Sequence, residues 1–329
     1  MTERIKGWLC SRALHMLGMV DEPLYGPLNA LANLTMRMRK PETVQHPGTL
    51  HPDKTFYIIR DLPPDAGLAS WHDRVLGYVM RAERKGWIPV VDPPPPAQAD
   101  SGTWYDYFKP VSEFSPEEAL CGRNVVFATM QGMIYKRFNM RNIRKRHETA
   151  SRRIAYSDKA LRFIEAGVHA LIDRIGKPMV GIRFRGTDYR SKGEWKPIGH
   201  AVVPDVQSFC DAAVADMKRW GVPVGDGEHI FLMTEEQEAF DSIRERFPAC
   251  HFIERERFSN FDFNSGKCLC YHRLPNTTPL ENNLNYLLEI EILSRCDYMM
   301  GGYNGGVLMA CNLNGGAYRG IHLLKTGVS

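Results

Sequence analysis

The sequence predicts an α/β protein in which parallel β-sheets are covered by helices. Short apolar runs alternate with segments of helical periodicity along most of the chain, and this alternation is typical of doubly wound sheets. The chain has 329 residues, which is more than one ordinary hydrophobic core accommodates. We therefore predict two domains, residues 1–155 and residues 156–329.

The N-terminal domain is predicted to contain a strand–helix–strand unit. Apolar strands at residues 56–59 and 88–91 flank a helix over residues 71–85, and residues 125–127 form a further strand. This order indicates a βαβ unit with parallel strands. Gly67 lies in the loop between strand end and helix start, a position that favours a polar or anionic ligand. Alternatively, the glycine only makes the turn.

The C-terminal domain repeats this rhythm. Predicted helices cover residues 157–176, 204–217, 237–247, 282–295 and 307–312, and predicted strands cover residues 179–183, 229–233, 250–253 and 298–300. Polar or glycine-rich loops follow three of these strands, at residues 185–188, 234–236 and 304–306. The carboxyl ends of parallel strands meet at one edge of a sheet, so we expect the three loops to line one ligand crevice.

An arginine-rich loop follows the strand at residues 179–183. Arg183 and Arg185 place fixed positive charge at the strand end, and a guanidinium group forms paired hydrogen bonds with phosphate. Gly186 would let the backbone approach a ligand closely. The loop therefore predicts a phosphate site. The alternative is a simple ion pair between Arg185 and Asp188 on a solvated edge.

Composition and missing motifs exclude several classes. Apolar residues make up 43% and charged residues 24% of the chain, and the net charge is +4, so the sequence is typical of a soluble globular protein and does not require nucleic acid. The glycine fingerprint of dinucleotide-binding folds and the P-loop of nucleotide triphosphatases are both missing. The eight cysteines include no Cys-x-x-Cys pair, which favours reduced thiols in the cytosol.

We predict no metal site. A metal-dependent sugar transferase needs a carboxylate pair after a strand to hold Mg²⁺ or Mn²⁺ on a diphosphate, and Asp262 with Asn264 comes nearest to it. Arginine would do that work here. Cys268, Cys270 and His272 could form a metal-binding fragment, but no second ligand cluster accompanies them.

Two segments have alternative interpretations. Residues 3–19 suit an amphipathic helix that either packs on the protein or contacts anionic lipid peripherally. Residues 136–153 are strongly basic and suit either a solvated helix face or the backbone of a nucleic acid. No secretory signal and no stretch of membrane-spanning length is evident.

The order of these motifs resembles the GDP-fucose-dependent fucosyltransferase superfamily, which includes α-1,6-fucosyltransferases, the rhizobial nodulation fucosyltransferase and protein O-fucosyltransferases. The family's His-x-Arg-(Arg or Gly)-Thr-Asp pattern corresponds to residues 183–188, and its Thr-Asp-Asp to residues 234–236. Its Leu-Asp-Ile helix corresponds to residues 288–297, and its Ser-Ser-x-Val turn to residues 304–307. The resemblance covers roughly residues 55–310.

The resemblance implies a GT-B glycosyltransferase with two Rossmann-like domains facing a cleft. It implies metal-independent, inverting fucosyl transfer from GDP-fucose to a glycan or other hydroxyl acceptor, with no cofactor, as in polysaccharide biosynthesis. The C-terminal half would bind the donor. Arg185 would hold the β-phosphate and stabilise the charge that develops on it. Glu289 would lie where relatives contact guanine.

The resemblance, together with the loop that follows the arginine motif, assigns further residues. The predicted donor-binding residues are Arg183, Gly186, Thr187, Thr234, Glu235, Glu289, Asn304, Gly305 and Gly306. The predicted acceptor-side residues are Gly67, Ser70 and His72. The predicted catalytic residues are Arg185, Asp188 and His200, with Asp188, Glu194 and His200 as candidate general bases and departing phosphate as the alternative.

This chain departs from the family pattern at several positions. Arg183 replaces the family's histidine, Glu235 and Glu236 replace two aspartates, and Asn304 and Gly305 replace two serines. We therefore expect a cytoplasmic fucosyltransferase and keep two alternatives. One is the same fold with another nucleotide-sugar donor. The other is a non-catalytic protein that binds anionic ligands or nucleic acid through the basic segment.

Overall fold

A computed structural model describes residues 42–64, 66–96, 98, 100–129, 140–187, 203–262, 269 and 272–324. The chain divides into two compact units between Asp158 and Lys159. Each unit has its own parallel β-sheet. Within these described ranges, no helix is long and apolar enough to cross a membrane.

The first unit is built on a three-stranded sheet. Its elements are β1 (Leu50–Ile59), α1 (Leu68–Lys85), β2 (Ile88–Val91), α2 (Trp104–Tyr107), α3 (Pro116–Leu120), β3 (Gly122–Phe127) and α4 (Met140–Arg153). The strand order is β2-β1-β3, and both pairs are parallel. Phe56, Ile58 and Val125 are fully buried on this sheet. The predicted βαβ unit is therefore present as β1, α1 and β2.

The basic helix α4 packs against α1 through ion pairs. Arg146 pairs with Asp73, and Arg152 and Arg153 lie 3.2 and 2.9 Å from the carboxylate of Glu83. Three of the arginines that suggested nucleic-acid binding are thus neutralised within the unit. The part of residues 136–153 that precedes Met140 lies outside the described residues.

The second unit contains a four-stranded parallel sheet. Its elements are α5 (Asp158–Ile172), β4 (Val180–Arg183), α6 (Val206–Trp220), β5 (Ile230–Met233), α7 (Gln237–Arg246), α8 (Pro279–Ser294), β6 (Tyr298–Gly302), α9 (Gly305–Asn314) and β7 (Gly320–Leu324). The strand order is β5-β4-β6-β7. Strands β4 and β5 are buried along their whole length, which explains why β5 is entirely apolar and why β4 is apolar up to Arg183 at its end.

Two strands of the second unit differ from the sequence prediction. Residues 250–253 do not form a strand, because only His251 pairs with the sheet, opposite Phe231. Beyond this point the carbonyls of Ile253 and Arg255 accept hydrogen bonds from the guanidinium of Arg257 (2.9 and 3.0 Å) instead of from a neighbouring strand. In addition, β7 extends the sheet beyond β6 and was not predicted.

Candidate functional site

The sheet order of the second unit places the three polar loops side by side. Strand β4 lies between β5 and β6, and Arg183 at its end is in register with Met233 on one side and Gly301 on the other. The loops that follow these strands begin at the same edge of the sheet. This is the edge at which open α/β folds bind their ligands.

Arg183 lies in the middle of this edge and is 1% exposed. Its Nε is 3.4 Å from Oδ1 of Asn304, and its Nη2 is 3.5 Å from Oε2 of Glu235. Its guanidinium carbon lies 5.5 Å from the ring centre of Tyr286, in a cation–π arrangement. Its Nη1 is buried and has no hydrogen-bond partner among the described residues. The guanidinium is therefore buried with only part of its hydrogen-bonding capacity used.

Arg185 and Thr187 converge on the same carboxylate. Nη1 of Arg185 lies 3.3 Å from Oε1 of Glu235, and the hydroxyl of Thr187 donates to the same oxygen at 3.1 Å. The side chain of Arg185 is 16% exposed, whereas that of Glu235 is 5% exposed. Arg185 thus forms an ion pair, as the alternative interpretation of this loop proposed, but the partner observed is Glu235. Asp188, the partner named in that interpretation, lies outside the described residues.

The turn after β4 has an unusual backbone conformation at Thr187, which the sequence did not predict. Thr187 has a φ of 45°, in the left-handed region that residues other than glycine seldom adopt. Its backbone N–H donates to Oε2 of Glu236 at 3.0 Å. A Cβ atom on Gly186 would lie 1.6 Å from the same oxygen. A side chain at position 186 would therefore have to displace the carboxylate of Glu236, a contact within the protein.

The third loop leads directly into helix α9. Asn304 caps this helix, because its Oδ1 accepts the backbone N–H of Val307 at 3.2 Å. Its Nδ2 donates to the carbonyl of Gly302 at 3.0 Å. Gly305 and Gly306 are the first helical residues, and the backbone N–H groups at such an N-terminus attract anions.

Tyr286 of α8 borders the site and was not identified from the sequence. A Cβ atom on Gly306 would lie 2.8 Å from the hydroxyl of Tyr286. Burial raises the pKa of this hydroxyl, and the nearby Arg183 opposes the shift. Tyr286 therefore presents a neutral hydroxyl beside the helix N-terminus.

A second buried arginine, Arg255, contacts residues that border the site. It forms a bidentate ion pair with Glu289, with Nε 3.0 Å from Oε1 and Nη2 2.9 Å from Oε2. It also donates to the carbonyl of Thr234 at 3.2 Å and to Oδ1 of Asn282 at 3.4 Å. Its side chain is 3% exposed, and that of Glu289 is completely buried. The carboxylate of Glu289 is thus directed at Arg255. Its predicted contact with guanine stays a prediction.

Positive charge governs the ionisation of Glu235. Burial by itself would raise the pKa of this carboxyl group, but attraction by Arg185, Arg183 and Arg255 outweighs burial and holds the pKa below its ordinary value. Glu235 is therefore a carboxylate at neutral pH. A carboxylate between two arginines carries the same sign of charge as a phosphate.

The three predicted acceptor-side residues belong to the first unit. Gly67 immediately precedes α1, and no atom lies within 4 Å of the position a Cβ atom would take there. Ser70 is partly buried in the first turn of the helix. His72 is 1% exposed, and its ring centre lies 5.8 Å from that of Phe108. Burial and the nearby Arg146 lower the pKa of His72 to about 3, so its imidazole is neutral and packed inside the unit.

Other predicted site residues cannot be placed. Asp188, Glu194 and His200 lie outside the described residues, as do Cys268 and Cys270. His272 packs against Phe261, with ring centres 4.6 Å apart. Within the described part of the chain, no group of three or more His, Cys, Asp or Glu residues could hold a metal ion.

Comparison with known proteins supports the fold. No protein-family model and no curated protein sequence matches this chain. The solved structure of POFUT1 in complex with GDP matches 84% of this chain and 99% of its own, with 10% identity and a TM-score of 0.50. The structure of fucosyltransferase NodZ from Bradyrhizobium matches 78% of this chain and 92% of its own, with 13% identity and a TM-score of 0.49. At these identities the likeness to POFUT1 shows the fold, and the predicted GT-B α/β class is confirmed.

Proposed function

We propose that this protein is a glycosyltransferase that transfers fucose from GDP-fucose to a hydroxyl group of a glycan or other acceptor. The observation that carries the proposal is the grouping of Arg183, Arg185 and the N-terminus of α9 at adjacent strand ends. Two guanidinium groups and a helix N-terminus suit the diphosphate of a nucleotide sugar. Structural neighbours with this fold include fucosyltransferases solved with GDP or GDP-fucose.

Arg185 is proposed as the group that binds the β-phosphate. When the bond between the sugar and the β-phosphate breaks, negative charge accumulates on the departing oxygen. A guanidinium held in place beside that oxygen stabilises the transition state more than the ground state. The N-terminus of α9 contributes partial positive charge to the same edge of the sheet. We propose that these groups make a divalent metal unnecessary.

The acceptor hydroxyl must lose a proton as it attacks the sugar. We propose Asp188, Glu194 or His200 as the base, with departing phosphate as the alternative. Attack from the face opposite the phosphate would invert the anomeric carbon. We propose that Gly67 and Ser70 lie on the acceptor side, and we no longer include His72 because it is buried inside the first unit.

The remaining assignments are proposals of the same kind. We propose a cytoplasmic protein without a bound cofactor, in contact with the membrane surface only if residues 3–19 bind anionic lipid. Another nucleotide-sugar donor is the main alternative, because the chain differs from the family pattern at Arg183, Glu235 and Asn304.

Binding and turnover of the full chain test the proposal. Calorimetric titration should show GDP binding more tightly than UDP or CDP, and GDP-fucose should release GDP slowly even without an acceptor. A short RNA, titrated at low and high salt, serves as the comparison for the nucleic-acid alternative. Equal affinity for the three nucleotides, or binding of RNA alone, would contradict a GDP-fucose donor.

A further inference from the structure

The two buried arginine–glutamate clusters at this sheet edge differ in how completely they are paired. Arg255 and Glu289 meet through two contacts at 2.9 and 3.0 Å, close to the length of strong charge-assisted hydrogen bonds. Glu235 lies 3.3 Å from Arg185 and 3.5 Å from Arg183. The first cluster is a tight pair, whereas the second is a loose one.

Among the described residues, both partners of the loose cluster carry a buried atom without a hydrogen-bond partner, whereas in the tight cluster only Oε2 of Glu289 does. Nη1 of Arg183 and Oε2 of Glu235 are buried and have no hydrogen-bond partner in the described part of the chain. A buried charged group without full hydrogen bonding is costly, and such a group in a folded protein calls for an explanation. An anion that reached Arg183 would supply the partner that Glu235 provides only in part.

Glu235 has other groups to hold it if the arginines turn to a ligand. Its Oε1 accepts the hydroxyl of Thr187 at 3.1 Å, and the charge of Arg255 also attracts it. The carboxylate can therefore give up its arginine contacts without losing all of its stabilising interactions.

We propose that Glu235 occupies the place of a ligand phosphate between Arg183 and Arg185, and that a diphosphate must displace it from both arginines in order to bind. This inference rests on the proposed function in so far as the ligand is a nucleoside diphosphate sugar. Glu235 then sets the affinity of the site. It lowers the affinity for every phosphate ligand, because each ligand competes with the same carboxylate.

Inorganic pyrophosphate is the probe that tests this inference, because it carries neither base nor sugar. Titration by calorimetry should show that Glu235→Gln in the full chain binds pyrophosphate about tenfold more tightly than the wild type, since a competing like charge has been removed. Glu235→Asp keeps the charge on a shorter side chain and should give an intermediate gain. It also covers the case in which Glu235→Gln folds poorly.

Asp216→Asn provides the matched control. Asp216 is also a buried carboxylate, paired with Arg219 at 2.6 Å and with His322, but it lies outside the arginine cluster. This variant should leave pyrophosphate affinity unchanged. Unchanged or weaker pyrophosphate binding in both Glu235 variants overturns the inference, as does the failure of wild type and variants alike to bind the probe.

Titration with GDP separates this inference from the proposed function. If Glu235→Gln tightens pyrophosphate binding but GDP and GDP-fucose bind no better than pyrophosphate, the displacement model stands and the GDP-fucose proposal fails. If GDP binds tightly and Glu235→Gln weakens both ligands, the donor proposal stands and the displacement model fails.

Discussion

Nε of Arg183 lies 2.9 Å from the point at which Gly306 would carry a Cβ atom. The space that glycine leaves at the start of α9 is thus the space that the guanidinium of Arg183 needs. The hydroxyl of Tyr286 lies 2.8 Å from the same point. Arginine at position 183 and glycine at position 306 therefore fit together sterically.

Gly306→Ala should consequently disturb the arginine. We expect a loss of about 1–3 kcal/mol in unfolding free energy from overpacking and about tenfold weaker GDP binding, measured by urea denaturation and calorimetry. Gly67→Ala is the control, because nothing lies within 4 Å of its Cβ position, and it should cost less than about 1 kcal/mol. If Gly306→Ala loses as much stability in an Arg183→Ala background as in the wild type, the steric link is wrong.

Arg185→Lys should impair turnover more than folding. Lysine keeps the charge but loses the paired hydrogen-bond geometry, so we expect turnover of GDP-fucose to fall roughly 100-fold. Circular dichroism and the melting temperature should change little. Arg295→Lys, at an exposed helical pair with Glu291, should leave turnover unchanged. Wild-type turnover in the Arg185→Lys protein would remove this residue from the mechanism.

Breaking the pair of Arg255 and Glu289 should destabilise the second unit. Arg255→Met or Glu289→Leu alone leaves an uncompensated buried charge, for which we expect a loss of about 3–5 kcal/mol in unfolding free energy. The double variant Arg255→Met/Glu289→Leu should recover much of that loss, because neither charge remains. Chemical denaturation of all four proteins measures the coupling. Strictly additive losses would show that the pair does not act as a unit.

Turnover should be independent of divalent metal. Arg183 and Arg185 supply positive charge at the strand end where a metal-dependent enzyme would hold its metal through a carboxylate pair. GDP release from GDP-fucose should therefore continue unchanged in excess EDTA. Loss of activity on chelation, followed by recovery with Mn²⁺, would contradict the arginine mechanism.

The contribution of Glu235 to stability should depend on pH in a defined direction. The arginines hold the pKa of Glu235 below its ordinary value of 4.5, so folding favours its charged form. Its stabilising contribution is complete above pH 4.5 and disappears as the pH falls through the lower pKa of the folded state. The difference in unfolding free energy between wild type and Glu235→Gln should therefore shrink in acid. Urea midpoints measured from pH 7 to pH 3 test this, and a difference that grows in acid would show that the sign is wrong.

Local sequence patterns were sufficient to predict those strands in which every residue is buried. Every residue of β4 and β5 is buried, β5 is entirely apolar and β4 is apolar up to the arginine at its end, so their sequence predicted them. Strand β7 is only partly buried along its length and contains His322 between apolar residues, so its periodicity is weak. This segment is recognised as a strand only from its pairing with β6 in the structure.

Arg255 illustrates why part of the site could not be predicted. It stands in the alternating sequence Glu254-Arg255-Glu256-Arg257, which is typical of a solvated surface segment. Its partner Glu289 lies on a separate helix, and nothing in the local sequence marks the pair. The grouping of the loops after β4, β5 and β6 could be predicted, because the carboxyl ends of parallel strands meet at one edge of a sheet. The ion pairs among these loops depend on tertiary packing, which the local sequence does not reveal.

Asn304 has a consequence for how this edge of the fold can change during evolution. One amide oxygen contacts both the first turn of α9 and the guanidinium of Arg183, at 3.2 and 3.4 Å. The side chain of Asn304 therefore links the start of α9 to the position of the Arg183 guanidinium. Insertion or deletion of a residue in this turn would move the ligand site together with the helix, so we expect its length to be fixed among homologues, unlike that of surface loops, which commonly vary.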